Sequence, residues 1–164
     1  YGDEVVEVQN LLNACKKTGL QVVWLWPNID AGSDMVSGVI RRFRESERPD
    51  WLRLVKNFTP EDYLRVLGNA VCAAGNSSSF VRDSSFLGTP VVLIGDRQNG
   101  REYAGNVKPV GYKEDEILSA IQSQISHGRY QASTLYGDGQ VSQRIANCLA
   151  KVPSFIQKRL GYVS

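Results

Sequence analysis

The chain has 164 residues, with 19 Lys and Arg against 17 Asp and Glu. Its net charge of +2 is too small for broad attraction to nucleic acid or to an anionic membrane, so any anion binding must be local. The length suits one domain with a substantial core, no apolar run approaches the roughly 18 residues of a membrane span, and none reads as a signal peptide.

Cys15, Cys72 and Cys148 lie far apart within apolar patterns, without a CxxC pair or histidines at metal spacing. They read as buried thiols of a cytoplasmic protein, and neither metal nor cofactor is expected. The single histidine, His127, precedes Gly128 and reads as a basic cap on the last carbonyls of a helix. A nucleophile–His–acid site within this chain is therefore not expected.

In chain order, Asp3 to Thr18 carries apolar residues at Val5, Val6, Val8, Leu11, Leu12 and Cys15, a helical spacing that Gly19 stops. Leu20 to Trp26 is a dense apolar run, suited to a parallel strand covered on both faces. A doubly wound domain normally has a strand before such a helix, so the chain reads as a fragment. Pro27 to Asp34, PNIDAGSD, breaks the chain before a helix running to about Arg44. Asn28 and Asp30 fall where a strand's carboxyl end meets a loop, as caps or as site residues. The basic segment Arg41 to Arg48 reads as a solvated helix end. Trp51 to Lys56 is a short strand, and Thr59, Pro60, Glu61 and Asp62 spell a helix start.

The stretch Ala74 to Glu102 carries the chemistry. Val71 to Ala74 is a brief strand, Gly75 to Ser79 a small polar turn, and Phe80 to Leu87 a short helix. Small residues let a phosphate approach the backbone, while Ser77, Ser78 and Ser79 add hydroxyl donors to the N–H groups of a helix start. Asp83, one turn in, either pairs with Arg82 or accepts hydrogen bonds from ribose hydroxyls. Val91 to Ile94 is an apolar strand, and the loop GDRQNGRE that follows brings Arg97 and Arg101 as planar forks for phosphate oxygens. Asn106 to Tyr112 is an edge strand by virtue of Pro109. Helices follow at Glu114 to Ser126, Gln140 to Lys151 and Phe155 to Leu160, with a tight YGDG turn at Tyr136 to Gly139.

PNIDAGSD, GNSSS at Gly75 to Ser79, FLGTPV at Phe86 to Val91, GDRQNGRE at Gly95 to Glu102, and YGDG occur in one order along most of the chain. In these motifs the chain resembles the carboxyl-terminal nucleotide-binding domain of the hydrolysing UDP-N-acetylglucosamine 2-epimerases, which release UDP and N-acetylmannosamine for sialic acid synthesis. The resemblance implies an α/β fold, a Rossmann-like parallel sheet with flanking helices, forming half of a glycosyltransferase-B-like enzyme. Residues 1–164 are then a single UDP-binding domain whose first strand is missing. The implied partners are UDP-GlcNAc or UDP and an amino-terminal domain, in a homo-oligomer when full length. The resemblance places the diphosphate near Ser77, Ser78 and Arg97, the ribose near Asp83, Asn28 and Asp30 along the cleft, and Phe58 against the uracil. Catalytic acid and base residues are expected mainly on the absent domain, so the isolated chain is expected to be inactive.

Two departures stand out. Asp83 replaces the family's usual Glu, one methylene longer. Ser37 and Gly38 stand where the animal enzymes place a basic residue in feedback inhibition by CMP-sialic acid, which argues against such regulation here. The donor-binding half of a UDP-sugar glycosyltransferase, or a non-catalytic nucleotide-sugar module, would share the diphosphate site.

Overall fold

The computed structural model describes residues 3–27 and 33–153. The elements run α1 (Asp3–Thr18), β1 (Val22–Leu25), α2 (Ser33–Glu47), β2 (Leu52–Val55), α3 (Pro60–Asn69), β3 (Ala73–Gly75), α4 (Ser79–Leu87), β4 (Val91–Ile94), β5 (Val107–Val110), α5 (Glu114–His127) and α6 (Val141–Leu149). The expected helix at Phe155 to Leu160 lies outside the described residues. The start of α3 forms as its sequence dictates: Thr59 accepts the Asp62 N–H on its hydroxyl at 3.2 Å, with Pro60 leading the first turn.

The strands are all parallel and hydrogen-bond as two ladders, β1-β2 and β3-β4-β5. β4 is the buried centre. Val92 and Ile94 pack with Ala14 of α1 and Ile117, Ala120 and Ile121 of α5, whereas Val91 and Leu93 pack with Leu67 of α3 and Val81 of α4. A strand covered by helices on both faces needs an unbroken apolar sequence, which VVLI supplies. Each such side chain contributes roughly 1.5–3 kcal/mol when fully buried. Pro109 lies opposite Leu93 on the edge strand β5, where its missing N–H leaves no ladder bond unmade.

Leu12 of α1 joins Val39 and Phe43 of α2 over Trp24 and Leu52. Helices α1, α2 and α5 therefore share one face, and α3 and α4 the other. Right-handed crossovers through α2, α3 and α4 then require the order β2-β1 followed by β3-β4-β5. The edges of β1 and β3, unpaired among the described residues, consequently face each other, and α1 packs against both ladders.

Three sequence expectations are corrected. β1 is covered on one face only: Val23 and Leu25 are 49% and 36% exposed, because α3 packs over β3 and β4 through Tyr63 and Leu67. Cys148 is exposed, unlike Cys15 and Cys72, since α6 buries no residue. The last carbonyls of α5 are capped by the Gly128 N–H, while the His127 ring stacks on Tyr130 at 3.8 Å.

Candidate functional site at the carboxyl ends of β3 and β4

Parallel neighbours deliver their following loops to the same end of a sheet. Gly75 is in register with Leu93, so the turn after β3 and the loop after β4 open side by side. Gly95 makes the exit from β4 possible: its φ is +76°, and a Cβ there would lie 2.1 Å from the Tyr112 hydroxyl. A hydrogen bond ties the two loops together, the Gln98 side-chain amide donating to the Asn76 carbonyl at 2.9 Å.

Within the turn the three serines divide their work. Ser79 Oγ is held by Tyr63 Oη at 2.5 Å and by Ser77 Oγ at 3.0 Å. Ser77 Oγ accepts the Ser79 N–H at 3.4 Å, and its carbonyl accepts the Phe80 N–H at 3.1 Å. Ser78 occupies the N-cap of α4 in a helical conformation and makes no side-chain cap bond. Its carbonyl takes the N–H groups of Val81 and Arg82. The N–H groups of Ser77 and Ser78 have no acceptor among the described residues. Amide donors at the start of a helix, beside a small-residue turn, form a receptor for anionic oxygens.

The other sequence-derived positions fall around this turn. Arg97 is exposed on the loop after β4, next to the Gln98 tie, and Asp83 is half-buried one turn into α4. Burial raises the Tyr63 phenol above its ordinary pKa, the Ser79 hydrogen bond opposes the rise, and the Asp83 charge adds to it. Asp83 thus sits within electrostatic reach of the hydroxyl that holds Ser79. Phe58 is half-buried just before Thr59, the cap of α3. It lies on the segment between β2 and α3, where its N–H donates to Asn57 Oδ1 at 2.9 Å. Asn28 and Asp30 lie outside the described residues.

Sequence reasoning passes over Tyr63 and Gln98. Tyr63 reads as part of an amphipathic stripe, and Gln98 as one polar residue in a polar loop. Only the side-by-side loops reveal that both act on the turn.

The family model described as UDP-N-acetylglucosamine 2-epimerase matches residues 2–150. The chain belongs to that family. It is 31% identical over 148 residues to a hydrolysing UDP-N,N'-diacetylbacillosamine 2-epimerase of Legionella pneumophila, a match covering 90% of this chain and 38% of the relative. It is 25% identical over 126 residues to a UDP-N-acetylglucosamine 2-epimerase of Neisseria meningitidis, covering 77% and 32% respectively. The fold is that of the Methanocaldococcus jannaschii UDP-GlcNAc 2-epimerase solved with UDP-GlcNAc and UDP, with a TM-score of 0.69 at 13% identity over 91% of this chain and 41% of that one. The chain of this epimerase-family member thus spans roughly two-fifths or less of the length of these relatives. No helix among its described residues is long and apolar enough to cross a membrane.

Proposed function

We propose that the chain is the UDP-binding half of a hydrolysing UDP-sugar 2-epimerase, acting on UDP-N-acetylglucosamine and releasing UDP and N-acetylmannosamine for sialic acid synthesis. The observation that carries this reading is the pair of coupled loops at the ends of β3 and β4, one presenting amide and hydroxyl donors and the other a guanidinium. In this reading Ser77, Ser78 and Arg97 hold the diphosphate, Asp83 the ribose and Phe58 the uracil. Asn28 and Asp30 are assigned to the same substrate site on the family resemblance alone. The domain is one Rossmann-like unit, and the strand expected ahead of α1 lies between the facing edges of β1 and β3.

The reaction then begins with anti elimination of UDP to a 2-acetamidoglucal, followed by addition of water with inversion at C2. As the C1–O bond breaks, negative charge accumulates on the departing diphosphate. Preorganised N–H, hydroxyl and guanidinium donors stabilise that charge without reorganising at the moment of reaction. The base that removes the C2 proton comes from the other half of the enzyme. This chain alone therefore binds the leaving group and does not turn substrate over.

Calorimetric titration with UDP tests the site. Saturable binding is expected, and Arg97→Ala, which removes a charged contact, is expected to cost about 1.5–3 kcal/mol. Binding indifferent to Arg97 would sink the assignment. With the whole enzyme, free N-acetylmannosamine from UDP-GlcNAc is the expected product, and transfer of the sugar to an acceptor would point to a glycosyltransferase instead.

A further inference from the structure

Gln98 is 5% exposed and sits between the proposed diphosphate ligands, yet no contact with the nucleotide falls to it in the reading above. Its Nε2 donates to the Asn76 carbonyl. The amide orientation follows from chemistry, because a carbonyl can only accept. The Gln98 backbone is itself fixed, its carbonyl accepting from Tyr103 Oη at 2.9 Å and from the Arg101 N–H at 3.2 Å. A rigid loop therefore reaches across to hold the serine turn.

Gln98 Oε1, in contrast, is buried without a partner among the described residues. Asn106, in the core, shares that state among the described residues: it donates to Ser84 Oγ and the Thr89 carbonyl while its Oδ1 lacks a partner too. Gln124 donates to the carbonyls of Val91 and Asn106 at 2.7 and 2.8 Å and accepts from Tyr130 Oη at 2.6 Å, so both ends are satisfied. A half-satisfied buried amide is less favourable than an apolar side chain of the same shape. What distinguishes Gln98 is its donor, aimed from one loop at the Asn76 carbonyl of the other.

We infer that Gln98 is a positioning residue of the anion site, whose amide fixes the separation between Ser77 and Ser78 on one loop and Arg97 on the other. This rests on the UDP reading. A diphosphate bridging two loops needs that separation held, whereas a nucleoside does not. Removing the amide should therefore weaken the phosphate part of binding selectively.

The test is to titrate UDP and uridine into the wild-type protein, Gln98→Met and Gln98→Glu, with thermal unfolding of each. For Gln98→Met, UDP affinity is expected to fall about tenfold or more with uridine affinity unchanged. Gln98→Glu should fall further, since its carboxylate meets the Asn76 carbonyl and the ligand's own negative charge, and it decides the matter if Gln98→Met does not fold. Unchanged UDP affinity in folded variants overturns the positioning role while the site assignment stands. Equal loss of UDP and uridine overturns it too, in favour of a general structural effect. A wild-type protein that binds no UDP overturns the site assignment, and this inference with it.

Discussion

At the scale of single residues, burial decides chemistry that composition leaves open. Desolvation pushes the thiols of Cys15 and Cys72 up to about 12, so neither forms a thiolate at neutral pH. Cys148 is exposed on α6. With a thiol reagent at pH 8, one cysteine of the native protein is expected to react rapidly and all three after denaturation, and Cys148→Ser should abolish the rapid phase. Rapid modification of Cys15 or Cys72 in the native state would contradict the packing of α1 on the β3-β4 ladder. The sequence shows where the cysteines stand but not which faces are covered. The serines behave alike: GNSSS announces a helix start with hydroxyls, whereas the engagement of Ser79 by Tyr63 and the N-cap place of Ser78 come from α3 packing beside α4.

At the scale of elements, local signals are read faithfully where the chain itself settles them. Thr59 and Pro60 start α3, and Gly88 ends α4 in a left-handed conformation with φ of +67°. Gly88 carries a second constraint that its neighbours in sequence do not reveal. A Cβ there would stand 2.2 Å from the Tyr130 carbonyl, on a segment whose Tyr130 N–H bonds back to the Gly88 carbonyl at 2.9 Å. Gly88→Ala therefore combines backbone strain with a clash against main chain, and should cost about 2–4 kcal/mol in urea unfolding. A loss under about 0.5 kcal/mol would show that the segment yields freely. For α6 the helical stripe is legible, yet Val141, Ile145 and Leu149 are exposed. Periodicity marks an apolar face without saying what covers it.

At the scale of the whole molecule, the division into two ladders leads to a measurable pattern. Val22 and Trp26 donate to β2, and Ala73 to the segment entering β4. By the alternation of a strand, the N–H groups of Val23, Leu25 and Ala74 point from the facing edges of β1 and β3. In this chain those three amides should exchange with solvent quickly, while Trp24 and Val92 remain protected. In the whole enzyme proposed above, the strand leading into α1 fills the space between the edges, and all three should become protected. Continued rapid exchange there would count against that placement.

By itself the sequence determined the described helices and strands, the parallel α/β class and the apolar strand VVLI, and it singled out the stretch from Ala74 to Glu102 as the proposed anion site. These follow from periodicity, caps and the backbone freedom of glycine, all local properties of the chain. The tertiary structure decided which thiols are buried, which face of β1 is bare, and that Gln98 and Tyr63 hold the serine turn in place. Those outcomes depend on which elements become neighbours, and Gln98 and Asn76 meet only because β3 and β4 run parallel and adjacent.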